Sequence, residues 1–348
     1  MNSALTPAMF LRNIVLSIAA TALVFLLCLY TGPGRPGTKA ISFGRPPTEF
    51  VRERALRVGS AAAVGAALAA SGVLLQALLK NPLADPYILG VSSGASVGVM
   101  AWIVFGAAFV RWVHRTHQVW ARVVVAHGMV LPAIVGALGA CAAVFALARP
   151  RRGAVAEPLT LLLAGVVLNS FNGAAIMLLN SLLPPDKQTD IMNYLFGSIR
   201  EEPSFTTFFI AVGLMVGTWA VAVFYAGALN IASLSDAEAA TMGVSLGALR
   251  TLCFVAASVM TAATLALAGP IGFIGLMCPH ICRMIFGPDH RLLLITAPLF
   301  GAIFLMLADT FVRSTGAWFH GDLPVGVVTA LVGGPFFLLL LHRRPAWR

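Results

Sequence analysis

The sequence is short of charge. Only 10% of its 348 residues are Asp, Glu, Lys or Arg, whereas 59% are hydrophobic. Soluble domains contain about 25% charged residues, so this composition excludes an ordinary soluble protein. A helix needs roughly 20 apolar residues to cross a bilayer. Runs of about that length or more contain none of the four charged types: 58–79, 86–110, 158–185, 203–235, 251–282 and 323–341. The composition therefore predicts an all-α polytopic membrane protein.

Motifs for nucleotide binding and hydrolysis are also missing. The three lysines lie in TKA, LKN and DKQ, so the sequence has no G-K-[ST] phosphate loop. It also contains no HExxH motif. Cys278 and Cys282 share a helical face and are interpreted as small core residues rather than metal ligands. We therefore expect a chain that is not an enzyme and that itself binds no cofactor, metal or nucleic acid.

A series of apolar spans occupies most of the chain. The pattern predicts ten of them: 11–31, 58–79, 92–110, 123–148, 158–183, 204–226, 251–268, 271–286, 292–312 and 323–342. Gly269 and Pro270 divide one uncharged stretch because proline removes a backbone donor and glycine permits a turn. Small residues at 65–72, Gly136 and Gly139 predict close helix packing. With ten spans, both termini lie on the same side of the membrane. The positive charges are divided evenly between the two sides, so they do not identify which side that is.

Residues 72–94 interrupt this pattern with the sequence GVLLQALLKNPLADPYILGVSSG. Backbone without helical hydrogen bonds cannot face lipid, so such a segment is buried in protein or lines a water-filled path. This feature favours a transporter. Within the segment, Asn81 and Asp85 are predicted to hold turns around Pro82 and Pro86.

Several motifs resemble one family, and they occur in the family's order. They are GVLLQALLKNPLADPYILGVSSGAS (72–96), LLLAGVVLN (161–169), ALAGPIGFIGLMCPHICR (266–283), GPDHR (287–291), ADTFVR (308–313) and DLPVGVVTALVGGPFFLLLL (322–341). The chain resembles the permease subunits of type II ABC importers, which carry cobalamin, siderophore–iron complexes or heme. The resemblance implies a homodimer with its path on the two-fold axis. It also implies inverted halves formed by spans two to five and seven to ten.

The same resemblance implies a set of partners and a location. Two ATPase subunits would bind Mg-ATP, a periplasmic binding protein would deliver the substrate, and membrane lipid would surround the chain. The location would be the bacterial inner membrane, with both termini cytoplasmic. Residues 1–348 would form one permease domain.

Residues 230–250 are the candidate ATPase coupling element. Ser235 and Glu238 fit a capping box, and Gly243 can end the resulting helix, with a second short helix beginning near Ser245. Capping boxes are common, so an ordinary loop helix is the alternative. The resemblance favours docking of the ATPase, and it assigns this role to Ser235, Asp236, Glu238, Met242 and Gly243.

Three arginines are the candidate docking site for a binding protein. Arg54 and Arg57 precede the second span, and Arg313 ends the ninth. In the family, arginines at matching positions receive acidic residues of the binding protein. The sequence RERALR departs from the usual R-x-P-R by lacking the proline. Anchoring of the arginines in lipid headgroups is the alternative.

Four polar residues are candidates for the translocation path. For the polar side chain of Gln76, helix packing and lining of the translocation path are equally good explanations. Asn169, Asn172 and Asn180 share one helical face, where a path lining and a seam between helices are both plausible; the family's use of the fifth span favours the path.

The expected function is that of the permease subunit of an ATP-driven importer for an iron chelate, heme or siderophore. A cobalamin importer of the same family is the alternative. A transporter driven by an ion gradient would need an acid within a span. Asp309 fits that position, but an ion pair with Arg313 four residues later also explains it.

Overall fold

The computed structural model describes residues 7–33, 41–43, 48–87, 90–116, 130–148, 158–184, 194–199, 205–315 and 323–342. These residues form twelve helices, of which two are short. The helices are α1 (Pro7–Tyr30), α2 (Thr48–Leu78), α3 (Val91–Thr116), α4 (Val130–Leu147), α5 (Pro158–Ser181), α6 (Phe205–Phe224), α7 (Ala226–Ala232), α8 (Asp236–Thr241), α9 (Leu246–Ala268), α10 (Ile274–Phe286), α11 (His290–Thr315) and α12 (Val325–His342).

Each of the ten predicted spans contains a helix in the described part of the chain, and residues 123–129 of the fourth span lie outside it. Six helices are long and apolar enough to cross a membrane, namely α1, α2, α5, α6, α9 and α11, and α3, α4, α10 and α12 contain shorter apolar segments. Helix α9 ends at Gly269, which has a φ of +64°, and α10 begins after Phe273. The break predicted at Gly269 and Pro270 is therefore present. The chain is a multi-pass membrane protein.

A small hairpin joins α1 to α2. Its strands, β1 (Thr31–Pro33) and β2 (Ile41–Phe43), pair antiparallel, with Thr31 opposite Phe43. The prediction of a purely helical chain missed this hairpin, because strands of three residues are too short for an alternating apolar pattern to show.

Helices α2 and α9 form the centre of the bundle, and in each of them 78% of the apolar segment is buried. Helix α2 packs against α10 and α11, whereas α9 packs against α3 and α4. The first helix of each half thus packs against the second and third helices of the other half. Equivalent helices run in opposite directions because their positions in the order of spans differ by five, an odd number, so this exchange agrees with the predicted inverted halves.

Glycines allow three helix pairs to touch through their backbones. A Cβ atom on Gly65 would overlap the carbonyl of Gly301 in α11, and one on Gly72 would overlap Gly275 in α10. Gly136 in α4 meets the carbonyl of Gly94 in the same way. At Gly139 the prediction is not met by any residue that the structure describes, because none lies within 4 Å of the corresponding position.

Replacing Gly72 by alanine is expected to destabilise the protein by about 1–3 kcal/mol, since a methyl group would push α2 and α10 apart. The matched control is Gly217→Ala in α6, where nothing lies within 4 Å of the new atom. That substitution should stabilise its helix by roughly 0.5–1 kcal/mol. Thermal unfolding of the two variants in one detergent measures both effects. Equal midpoints for the two variants would contradict the packing.

Candidate functional site

One end of the pair α2 and α11 carries a buried ion-pair cluster. Nε of Arg57 lies 3.1 Å from Oδ1 of Asp309, and Nε of Arg313 lies 2.9 Å from Oδ2. The side chain of Asp309 is 1% exposed, and those of the two arginines are 13% and 7% exposed. The ion pair predicted between Asp309 and Arg313 is confirmed. Its second partner, Arg57, was not predicted.

The end of α1 and the hairpin cover this cluster. Arg313 also donates to Oγ1 of Thr310 at 2.9 Å and to the carbonyl of Cys28 at 3.4 Å. Arg54 donates to the carbonyl of Leu29 at 3.3 Å. A Cβ on Gly32 would lie 3.2 Å from Arg313 and 3.5 Å from Arg54. The structure therefore gathers the three candidate docking arginines, with Asp309, into one arginine cluster, and it leaves Arg57 and Arg313 little exposed.

The capping box of α8 is present at the other end of the bundle. The Ser235 hydroxyl accepts from the backbone N–H of Glu238 at 3.2 Å, and the backbone N–H of Ser235 donates to Oε2 of Glu238 at 3.0 Å. Hydrogen bonds from Ser235 lower the pKa of the Glu238 carboxyl. Met242 caps the C-terminus of α8, and Gly243 follows with a φ of +80°.

The prediction of a second, separate short helix near Ser245 is wrong. Ser245 is the N-cap of α9, which continues without a break into the membrane span. The additional short helix is instead α7, which precedes α8. Periodicity did not show this, because the polar turn and the apolar span share one continuous helix.

Asp236, the first residue of α8, joins α8 to two other parts of the bundle. Its Oδ1 lies 2.9 Å from Nζ of Lys80, just beyond α2, and its Oδ2 lies 3.0 Å from NH2 of Arg250 in α9. The hydrogen bond from Lys80, followed by the bond from Arg250, lowers the pKa of Asp236 below its usual value of 3.8. Lys80, Asp236 and Arg250, here called the coupling cluster, therefore lose their ion pairs only in acid, as the pH falls through that lowered pKa.

Helix α7 is fixed to the start of α11. The Asn230 side chain donates to Oδ1 of Asp289 at 2.7 Å and accepts from the backbone N–H of His290 at 2.8 Å. Oδ1 of Asp289 also accepts from the backbone N–H of Arg291 at 2.9 Å. Together with the coupling cluster, these bonds tie the candidate ATPase coupling element to α2, α9 and α11.

The segment between α2 and α3 contains the two predicted turns. Oδ1 of Asn81 accepts from the backbone N–H of Leu83 at 2.9 Å, and Oδ1 of Asp85 accepts from that of Tyr87 at 2.8 Å. Asn81 and Asp85 therefore hold turns, as predicted. Lys80 precedes them with a φ of +46°, a left-handed conformation that is unusual for a residue other than glycine.

Gln76 lies in the interface between α2 and α10 rather than in a cavity. It is 3% exposed, and its Nε2 donates at 3.3 Å to the carbonyls of Gly275 and Leu276. These contacts support helix packing, the alternative to path lining, because the Gln76 amide donates to two carbonyls of α10.

The three asparagines of α5 have different surroundings. Asn169 is exposed. Nδ2 of Asn172 donates to Oγ of Ser93 in α3 at 3.0 Å, which forms the seam between helices that was one of the two alternatives. Asn172 also lines an apolar groove of about 570 Å³ between α3, α4 and α5. Oδ1 of Asn180 is buried without a hydrogen-bond partner among the described residues.

The arginine and coupling clusters lie at opposite ends of one antiparallel helix pair. From Arg57 to Leu78, α2 rises about 32 Å, which is close to the roughly 30 Å of a bilayer core. Helix α11 begins beside Asn230 of α7 and ends at the ion pair of Asp309 with Arg313. One cluster therefore faces each side of the membrane.

Comparison with known proteins identifies the family of the chain. The family model "FecCD transport family" matches residues 20–343. The cobalamin import system permease protein BtuC of Halobacterium salinarum is 37% identical over 310 residues, which are 87% of this chain and 77% of BtuC. The hemin transport system permease protein HmuU of Yersinia pestis is 33% identical over 331 residues, which are 92% of this chain and 94% of HmuU.

A solved structure shows the same fold. It is described as an inward-facing conformation of a metal-chelate type ABC transporter, and it matches with a TM-score of 0.79 at 26% identity. The match covers 96% of this chain and 99% of that one. The resemblance found in the sequence motifs is thus confirmed over nearly the whole chain. The chain is a multi-pass membrane permease of the FecCD transport family.

Proposed function

We propose that the chain is the permease subunit of an ATP-driven importer that moves an iron chelate, heme or siderophore, across a bacterial inner membrane. The observation that carries this proposal is the position of the arginine and coupling clusters at opposite ends of α2 and α11. A substrate-delivering partner and an energy-supplying partner need separate surfaces on opposite sides of the membrane. Membership of an ABC permease family implies association with both kinds of component.

The proposal fixes the orientation of the chain. The arginine cluster faces the periplasm, where the acidic residues of a binding protein would meet Arg54, Arg57 and Arg313. The coupling cluster and both termini face the cytoplasm, where two ATPase subunits hydrolyse Mg-ATP and α8 docks onto them. The guanidinium groups suit this docking because they form directional bonds with carboxylates and speed encounter.

A second copy of the chain would complete the translocation path. Helices α5 and α12 carry many exposed apolar side chains, which would face lipid or the second copy: Leu163, Val166, Val167, Phe171, Leu178, Leu331, Val332, Leu338 and Leu339. Asn169 is exposed on α5, so it is the asparagine best placed to face the path in such a homodimer.

An iron chelate is the proposed substrate because HmuU, named for hemin transport, matches along almost its whole length. Cobalamin is the second candidate, because BtuC of Halobacterium salinarum shares the higher identity. Purified complex in liposomes, with ATP and its binding protein, tests this choice. Uptake of labelled heme or ferric siderophore that excess cobalamin does not reduce is expected; uptake of cobalamin alone would contradict the proposed substrate.

Replacing Arg54 by glutamate is expected to weaken the binding protein's affinity by about tenfold or more, because one acidic contact becomes repulsive. The matched control is Arg52→Glu in the same helix. Arg52 packs over the ring of Phe205 at 4.0 Å and is not part of the arginine cluster. Binding is measured on permease in nanodiscs. Equal losses in the two variants would indicate a general charge effect and would contradict docking at Arg54.

A further inference from the structure

Lys80 connects α8, within the candidate ATPase coupling element, to the segment between α2 and α3. Its ammonium group donates to Oδ1 of Asp236 at 2.9 Å and to the carbonyl of Leu234 at 2.6 Å. Both acceptors lie at the start of α8. Because Lys80 is held at two points, a displacement of the first turn of α8 also displaces Lys80, which lies two residues beyond the end of α2.

The backbone of Lys80 is itself constrained. Its φ of +46° is a left-handed conformation that persists in residues other than glycine only when the surroundings impose it. The next residues follow in rigid turns, held by the side chains of Asn81 and Asp85. A movement at Lys80 therefore reaches residues 81–87, which these two turns hold together.

This segment touches helices of both halves. A Cβ on Gly90 would lie 3.2 Å from the carbonyl of Gly165 and 3.5 Å from the backbone nitrogen of Asn169, both in α5. A Cβ on Gly275 in α10 would lie 3.1 Å from Pro86. The segment thus runs from α8 to the helix that carries the exposed candidate path residue Asn169.

We propose that the contact of Lys80 with Asp236 transmits movement of α8 through the segment between α2 and α3 to α5, which makes Lys80 and Asp236 positioning residues for alternating access. This inference rests on the proposed function and adds a specific route to it. The contact is exposed at 36% for Lys80 and 56% for Asp236. Exposed ion pairs contribute only about 0–1 kcal/mol to stability, so removing this one should leave the fold intact.

The test compares Lys80→Met, Asp236→Asn and the double variant in proteoliposomes that contain the partner ATPase and binding protein. The readout is substrate transported per ATP hydrolysed, which a merely structural contact would not change. Lys80→Met should retain the ATPase and its hydrolysis but lose roughly fivefold or more in transport per ATP. If the two residues act through one contact, the double variant should lose no more than either single variant.

Arg12→Gln is the control, because it removes an exposed cation of α1 on the same side of the membrane. It should transport as the unmodified complex does. Unchanged transport per ATP in Lys80→Met would overturn the inference, and so would additive losses in the double variant. Loss of the ATPase from Lys80→Met would show that Lys80 serves docking instead. In each of these cases the proposed function stands; it fails only if the unmodified chain binds no ATPase.

Discussion

Replacing Asp309 by alanine is expected to lower the free energy of unfolding by about 3–5 kcal/mol, because two guanidinium groups would lose their shared buried partner. Arg57 and Arg313 bind opposite oxygens of that carboxylate, which is 1% exposed. Removing one member of a buried ion pair leaves uncompensated charge in a low dielectric. Unfolding of the purified permease in detergent, followed by tryptophan fluorescence, measures the loss.

Thr310→Val is the control for this prediction. It removes one hydroxyl that accepts from Arg313 at 2.9 Å and leaves Asp309 in place. Its expected cost is about 1 kcal/mol, the net value of a single hydrogen bond. If Asp309→Ala cost no more than Thr310→Val, the carboxylate would not be the centre of the arginine cluster.

The cluster also affects experiments on docking, because Arg57→Glu would place a second carboxylate beside Asp309 and destabilise the fold.

Replacing Ala240 by proline is expected to release the partner ATPase from the permease. Proline inside α8 removes a backbone donor and clashes with the preceding turn, at a cost of about 3 kcal/mol to the helix. If the ATPase binds only the formed helix, that cost corresponds to roughly a hundredfold loss of affinity. Co-purification and titration of the ATPase against permease in nanodiscs measure the effect.

Ala240→Ser provides the comparison, because it changes the same exposed position and keeps the backbone donor. It should bind the ATPase within about threefold of the unmodified chain, since serine costs the helix less than about 0.7 kcal/mol. The bundle itself should remain folded in both variants, because α8 is short and lies on the surface. Tight ATPase binding by Ala240→Pro would place the coupling surface elsewhere.

Features that depend on neighbouring residues could be predicted from the sequence. The capping box of Ser235 and Glu238, the turns at Asn81 and Asp85, and the ion pair between Asp309 and Arg313 all join residues within four positions. Spacing alone defines such contacts. The spans could be predicted because lipid requires long apolar helices.

Features that join distant residues could not be predicted. Arg57 reaches Asp309 across 252 positions, and Lys80 reaches Asp236 across 156. Gln76 has a polar side chain within a span, which favours path lining and helix packing equally until its neighbours in α10 are known. These contacts arise from the packing of elements that are far apart in the chain, and a single sequence carries no pattern that identifies them.

Measuring which source of energy drives uptake is the most direct test of the proposed function. Uptake of labelled iron chelate is measured in liposomes that contain the complete complex and external binding protein, with either internal ATP or an imposed proton or sodium gradient. We expect uptake with ATP alone, in the absence of any gradient, and none with a gradient alone. Uptake driven by a gradient without ATP would contradict the ATP-driven importer and support a secondary transporter.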